Sequence, residues 1–381
     1  MTKKIIYIAA NDSISSKKER ANVICDGKND AQIINEAIQS FTQKGGLVFL
    51  FAGTYIILKV KDTHGGIIID KSNVTVMGEG DATKLLLQKY QDCNAIQIKG
   101  VKNVRINNLF IDGNREYQGV KNGEIKDEIE EDDSHFRSFS FNLSGIKADK
   151  YSGDHHFPQN VIVSNCTIQN CKALCVMLRG KNMIVENNHL GEARADVVEI
   201  LNGPGIIRGN IVVISSKTLR THTALSTDLA NFVSITDNKV YVKEGATLHL
   251  GFRTWHHSFF HSIKRNVLIV EKNAHVNAVV DSRGLFTSIE DNSFVNYNIE
   301  PVLLSINGLN NVSGNSLTNI KIGIRNSHPE YSEKWKQMWR CGFLEDMMVR
   351  IKKNFFYNSN IDKGSHKNKI VEGENVWLNV K

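Results

Sequence analysis

The residues with the most chemistry in them begin with a carboxylate, Glu199, inside the run "ADVVEI" (195–200), which otherwise reads as a short buried strand. With a period of two, Val198 and Ile200 face inward, and Val197 and Glu199 face out. The same alternation turns Leu225 in and leaves Ser226 and Asp228 outside or at the corner. It turns Leu248 and Leu250 in, leaving His249, Gly251 and Arg253 out. In "NAVVDSRG" (277–284), Asp281 and Arg283 face outward. The turn "FRTWHHSFFH" (252–261) adds Trp255, His256 and His257, and "GDHH" (153–156) adds Asp154, His155 and His156. Asp196, Arg194 and His222 border the strip. Carboxylates of this kind serve as general acid, base or nucleophile on sugars. An arginine neutralises a uronate and eases loss of its C5 proton, and a Trp stacks on a sugar face. Taken singly, an outward Glu is ordinary solvated surface and paired loop histidines are common. The weight lies in their gathering on one face of neighbouring strands.

Such a strip needs strands stacked in register, and the sequence repeats accordingly. "NVRINNLFI" (103–111), "NVIVSNCTI" (160–168), "NMIVENNHL" (182–190), "NFVSITDNKV" (231–240) and "TSIEDNSFV" (287–295) each alternate apolar residues, then place an Asn, then another apolar group. The aligned asparagines are Asn108, Asn165, Asn187, Asn210, Asn238, Asn266, Asn292, Asn315 and Asn354. From Asn165 to Asn315 they stand 22, 23, 28, 28, 26 and 23 residues apart. A second short strand follows each by about a dozen residues, as in "ALCVMLRG", "VVEILNG" and "VLLSING". Several short strands per period with no helix between them predict a parallel β-solenoid, whose inward Val, Ile and Leu form ladders along one core. "DGKNDAQIINEAIQSF" (26–41) reads as a helix with Asn29 as N-cap and Gln32 completing a capping box. Ile33, Ala37, Ile38 and Phe41 would line its apolar face and cover the open first coil.

Two stretches interrupt the repeat. Residues 113–142 hold seven acids between Glu124 and Asp133 and read as a solvated loop. In "PEYSEKWKQMWRCGFLEDM" (329–347), Trp335, Met338, Trp339 and Phe343 fall at helical spacing and predict a helix packed on the last coils.

The bulk composition fits a soluble globular protein, with 41% hydrophobic and 23% charged residues among 381. A net charge of +7, spread along the chain, gives no reason to expect nucleic acid. No stretch is long enough to span a membrane. The N-terminus lacks the apolar core and cleavage site of a signal peptide. A cytoplasmic protein, or one carried on a phage or released by lysis, is therefore expected. Cys166, Cys171 and Cys175 lack metal-ligand spacing and read as buried free thiols.

The run "CDGKNDAQIINEAI", "GGLVFLFAGTYII", "SNVTVMGEG", "TKLLL" (within 25–87) resembles the first coils of the pectate-lyase-like right-handed parallel β-helix superfamily. That resemblance implies an all-β solenoid and a carbohydrate partner, since the superfamily holds pectate lyases, polygalacturonases, alginate lyases and epimerases, fructotransferases and phage tailspikes. "IDGNRE" (111–116) is similar to a segment of the alginate enzymes, although their DPHE is missing. The coil around Glu199 is similar to one in cyclising fructotransferases, which would make Glu199 catalytic. The partner carboxylate of those enzymes falls near Asn187 or Asn188, so Glu192 or Asp196 would have to replace it.

The expectation is one right-handed parallel β-helix domain over 1–381: cap 1–45, coils 46–328, helical insertion 329–348, and last coil with C-terminal cap 349–381. It would cleave or rearrange a polysaccharide or oligosaccharide as a lyase, glycosidase or fructotransferase. Glu199, with Asp196 or Asp228, would be acid or nucleophile, and His249 base or orienter. Arg253, Trp255, His256, Asp281, Arg283 and His155 would hold substrate. No metal site is expected, with calcium left open as a cofactor. The rival expectation is a non-catalytic glycan binder or structural solenoid of the tailspike kind, assembled as a homotrimer.

Overall fold

The computed structural model describes residues 4–118, 120–121, 124–125, 143–151, 153–255, 258–306, 310–324, 349–362 and 370–378. The chain is mostly β, and its strands stack in parallel ladders as a β-helix. It divides into two compact units, residues 1–199 and 200–381. No described helix is long and apolar enough to cross a membrane.

In the N-terminal unit, Lys4–Ala9 pairs in parallel with Gly46–Leu50, and that strand pairs with Val74–Leu87. The ladder continues through Lys102–Asp112, Gln159–Ser164 and Met183–Glu186. On another face, Gly65–Ile69, Asn94–Ile98, Ile146–Ala148 and Val176–Arg179 pair the same way. Alternation explains the packing. Val104, Ile106, Leu109 and Ile111 are buried, while Arg105 points to solvent. The corners between faces are asparagines in the left-handed region, a conformation that Asn adopts more readily than most residues. Asn73, Asn103, Asn160 and Asn182 have φ of 64°, 57°, 54° and 55°. Each of the last three donates its side-chain amide to the Oδ1 of the one before, at 2.8–2.9 Å.

The helix Asp30–Gln39 corrects two details of the sequence reading. Asn29 makes no side-chain capping bond, and Gln32 donates to Glu36 Oε1 instead. Asp30 takes the anchoring role: its carboxylate is buried and accepts the N–H groups of Gly27 (2.9 Å) and Ile56 (2.7 Å). That turns the buried face onto Ala31, Ile34, Ala37 and Ile38, leaving Ile33 half-buried. Asn35 fastens the helix to the first coil, donating to the Gly66 carbonyl and accepting the Ile68 N–H, both at 2.8 Å.

In the C-terminal unit each early coil contributes three strands. One ladder runs from Gly205–Arg208 through Val233–Thr236, Ser262–Lys264, Ser288–Glu290 and Asn311–Ser313 to Val349–Lys352. A second runs from Ile211–Ile214 through Lys239–Val242, Val267–Val270, Ser293–Asn296 and Ser316–Thr318 to Phe355–Tyr357. The third holds Arg220–Asp228, Thr247–Thr254, His275–Ser282, Val302–Ile306, Ile320–Ile324 and Asn360–Asp362.

Between the first two ladders runs a buried file of asparagines. The backbone and side-chain amides of Asn210, Asn238, Asn266, Asn292, Asn315 and Asn354 each donate to Oδ1 of the next Asn in the file, which reaches Asn375. The repeat alignment holds here and slips by one residue in the N-terminal unit. Asn108, Asn165 and Asn187 occupy the left-handed corner position, at φ of 53°, 54° and 55°. The buried positions after them are Leu109, Cys166 and Asn188.

Of the interruption 113–142, the structure describes a 3-10 turn at Arg115–Tyr117 and an antiparallel pair, Val120–Lys121 with Glu124–Ile125. The remainder of 119–142, and the helix expected over 329–348, lie outside the described residues. Cys166, Cys171 and Cys175 are buried free thiols, and burial pushes Cys166 up to about 12.

Candidate functional site

The third face of the C-terminal unit carries the densest reactive surface there. Register sets Ser226, Arg253, Asp281 and Ser305 in one row across four strands. Two rungs nearer the strand starts, His222, His249 and Asn277 form a second row by the same register. The rows are joined by Arg253, whose Nη1 lies 3.0 Å from His222 Nδ1. The rings of His222 and His249 stack at 5.3 Å with planes 14° apart. The Asn277 side-chain amide sits 2.8 Å from His249 Nδ1.

Trp255 organises the cations. The Arg253 guanidinium rests over its ring, 3.5 Å from the centroid, and that of Arg283 lies 4.6 Å away. A guanidinium is attracted to the negative face of an indole and spreads flat on it. Trp255 is thus engaged by arginine as well as being half-buried. Arg283 Nε donates to Asp281 Oδ2 at 2.8 Å. Asp281 faces outward by register, yet it is 1% exposed, because its neighbours cover it. Arg253 is 9% exposed. Beyond them, Thr254 and Ser282 hydroxyls lie 3.1 Å apart, and Asn310 donates to Ser282 Oγ, tying the strand ends together. Gly251 is required where the strands crowd, since a Cβ there would fall 2.4 Å from the Val279 carbonyl oxygen.

Five residues anticipated from the sequence therefore meet in one cluster: His249, Arg253, Trp255, Asp281 and Arg283. Asp228 stands at the end of its strand, opposite Trp255, whose N–H donates to the Thr227 carbonyl, and Asp228 Oδ1 accepts the Leu229 N–H at 2.7 Å. His256 lies outside the described residues. His222, placed at the margin of the strip by the sequence, is a rung-mate of His249. One member came into view only with the register: Asn277, which follows His249 by one coil of 28 residues. That spacing was the available signal.

Glu199 and Asp196 belong to the N-terminal unit. Asp196 is buried, and Glu199 is half-buried and close enough to Lys147 for their charges to interact. Lys147 is itself buried, which lowers its pKa, while Asp149 at 3.7 Å opposes the shift. Arg179 lies 3.6 Å from the other Asp149 oxygen. Sequence reasoning missed Lys147 and Asp149, which sit just after the acidic interruption with no repeat signal. His155 is exposed in a turn, its ring 6.3 Å from that of His156. Among the described residues no group of three or more His, Cys, Asp or Glu is placed to hold a metal ion.

No family model matches the chain, and no curated protein does. Solved structures do. DFA-IIIase from Arthrobacter chlorophenolicus A6 is 12% identical with a TM-score of 0.56, over 97% of this chain and 94% of that one. The A-module of the mannuronan C-5 epimerase AlgE6 from Azotobacter vinelandii is 14% identical with a TM-score of 0.56, over 91% and 96%. A double mutant of the tailspike of E. coli bacteriophage HK620, in complex with a pentasaccharide, is 15% identical with a TM-score of 0.59. That likeness covers 94% of this chain and 64% of the tailspike. At these identities the likeness is one of fold, the parallel β-helix.

Proposed function

We propose that this parallel β-helix acts on a uronate-containing oligosaccharide or polysaccharide, removing the C5 proton beside the carboxylate on the third face of its C-terminal unit. The observation that carries the reading is the joining of an imidazole pair to an arginine pair through the 3.0 Å contact of His222 and Arg253. Arginines 253 and 283, gathered on Trp255, suit a sugar carboxylate, because guanidinium matches its geometry and charge. As the C5–H bond breaks, charge grows on that carboxylate, and the arginines stabilise it there.

His249 is the exposed imidazole of the pair and takes the proton. The Asn277 amide at Nδ1 governs its tautomer. As placed, the Asn277 nitrogen donates to Nδ1 and leaves the ring proton on Nε2. Turning the carboxamide over, so that its oxygen accepts from Nδ1–H, moves the proton to Nδ1 and makes Nε2 the basic nitrogen. Breaking C4–O4 then places the electron pair in a C4=C5 double bond, and the leaving oxygen gains a proton. Protonation of C5 from the opposite face by a second donor, such as water, instead gives epimerisation, with the C5–H bond remade and C4–O4 left intact. A glycosidase needs two available carboxylates across the sugar. Here Asp281 is enclosed and spends an oxygen on Arg283, which favours proton abstraction over hydrolysis.

The test is a panel of uronate polymers and fructans, followed by near-ultraviolet absorbance, reducing ends, and exchange of the C5 proton with heavy water. Unsaturated products or C5 exchange are expected on a uronate polymer. Reducing ends without unsaturation would sink the reading. So would binding with no change in any polymer, which is the outcome expected of a pure glycan binder.

A further inference from the structure

The N-terminal unit holds a pocket of about 400 Å³, in the size range that encloses a small ligand. His64, Gln97, Lys99, Tyr151, Asp62 and Asp70 are among its lining residues. One wall is aromatic: the rings of His64 and Tyr151 lie 6.0 Å apart with planes 29° apart. The floor is Gln97, 2% exposed, whose Oε1 accepts the His64 N–H and whose carboxamide nitrogen has no partner among the described residues. The rim carries two carboxylates. Asp70 gives one oxygen to Gln39 Nε2 at 2.7 Å and keeps the other, and Asp62 is exposed on a left-handed turn with φ 59°. The rim ammonium, Lys99, lies 3.8 Å from Asp154.

We propose that this pocket is a second saccharide site, separate from the arginine cluster, and that it takes a neutral sugar residue. A pyranose offers vicinal hydroxyls that donate to carboxylates, a ring oxygen that accepts from an amide, and a C–H face that packs on an aromatic wall. The pocket supplies each counterpart. Its charge sets the preference. Among the lining residues Asp62 and Asp70 outnumber Lys99, which is itself paired, so a uronate carboxylate at the rim would meet like charge there; Lys59 and Lys147, which act on His64, are not lining residues. His64 adds no cation near neutral pH, since desolvation, with Lys59 and Lys147 behind it, holds its pKa below the ordinary imidazole value. The inference does not rest on turnover at His249. The two sites would therefore accept opposite kinds of sugar, as a heteropolymer of neutral and acidic residues would require.

The experiment uses the full chain. Methyl glycosides of glucose, galactose and mannose, and their matching uronates, are titrated while the His64 ring resonances, assigned with His64→Gln, are followed by NMR. At least one neutral glycoside should shift His64, and its uronate should bind several-fold more weakly. Asp70→Asn or Asp62→Asn, both at exposed positions, should weaken that binding roughly tenfold, the loss of one charge-assisted hydrogen bond. Arg253→Gln should leave it unchanged while weakening uronate binding elsewhere. The proposal is overturned if no neutral glycoside shifts His64, if the uronate binds as well as its neutral partner, or if both Asp variants bind like the wild type.

Discussion

The two units use the same strands and turn their corners differently. In the N-terminal unit the corner leading into the long ladder is Asn103, Asn160 and Asn182, linked amide to amide. At the corresponding corner of the C-terminal unit stand Phe232, Phe260 and Phe286, with φ of 58°, 57° and 57°. Their rings stack at 5.2 and 4.8 Å. The buried file differs in the opposite sense, being Leu109, Cys166 and Asn188 in the first unit and unbroken asparagine in the second. The lesson is that the coil tolerates either chemistry at a corner, provided that backbone groups find partners and side chains find neighbours one coil away. The reactive faces differ too, with arginines and imidazoles on one unit and a carboxylate-rimmed pocket on the other.

That contrast is broken most forcefully at His249. On a uronate polymer, His249→Gln should lower kcat by about 10²–10⁴, the usual worth of a positioned acid–base group, with little change in KM. Asp70→Asn, in the other unit, should leave kcat as it is. Equal losses in the two variants would mean that the chemistry is not confined to the arginine face.

The buried file is tested next, by stability. Asn292→Ala deprives both the backbone and side-chain amides of Asn266 of their acceptor. Two buried donors left unmade cost roughly 4 kcal/mol together. The urea midpoint of the full chain should fall accordingly. A change under 1 kcal/mol would show that water or a shifted coil replaces the missing oxygen.

The fold was legible because period-two apolar patterning and the asparagine spacing are both local signals. The slip at Asn108, Asn165 and Asn187 arose because a left-handed corner and a buried ladder position favour the same residue for different physical reasons, conformational tolerance in one and amide pairing in the other. The site was legible in part. Arg253 and Asp281 could be placed outward by alternation, but their burial under one another depends on register between coils. Lys147, Asp149 and the pocket around Tyr151 depend on contacts across an irregular insertion, where no period exists to extrapolate.

Within the C-terminal unit, one coil places a buried histidine just before its strand, at the position Asn310 holds two coils later, which makes that coil sensitive to pH. His261 Nδ1 accepts the Val233 N–H at 3.2 Å, as Asn310 Oδ1 accepts the Thr287 N–H at 2.9 Å. Burial holds the His261 pKa at about 4, below its ordinary 6.5. The unfolded chain therefore binds a proton that the folded chain refuses between those values. Stability from this group is complete above pH 6.5 and is lost as pH falls towards 4, by about 3 kcal/mol. His261→Asn keeps an acceptor and removes the titration. Its thermal midpoint should fall less steeply than the wild type over that window, and parallel curves would refute the assignment.

The smallest effect expected is at the phenylalanine corner, and it decides what the corner is for. Holding a non-glycine residue in the left-handed region costs roughly 1–2 kcal/mol, less for asparagine. Phe260→Asn should therefore recover about 1 kcal/mol of backbone strain. It also removes the stacked contacts with Phe232 and Phe286, each contributing about 1 kcal/mol, and a wider tilted contact with Phe259 that adds little. The net prediction is a loss near 1 kcal/mol, read as a small drop in the urea midpoint. A gain in stability would mean that backbone strain outweighs the stack. The three rings, Phe260 being 49% exposed, would then be kept for something other than holding the coils together.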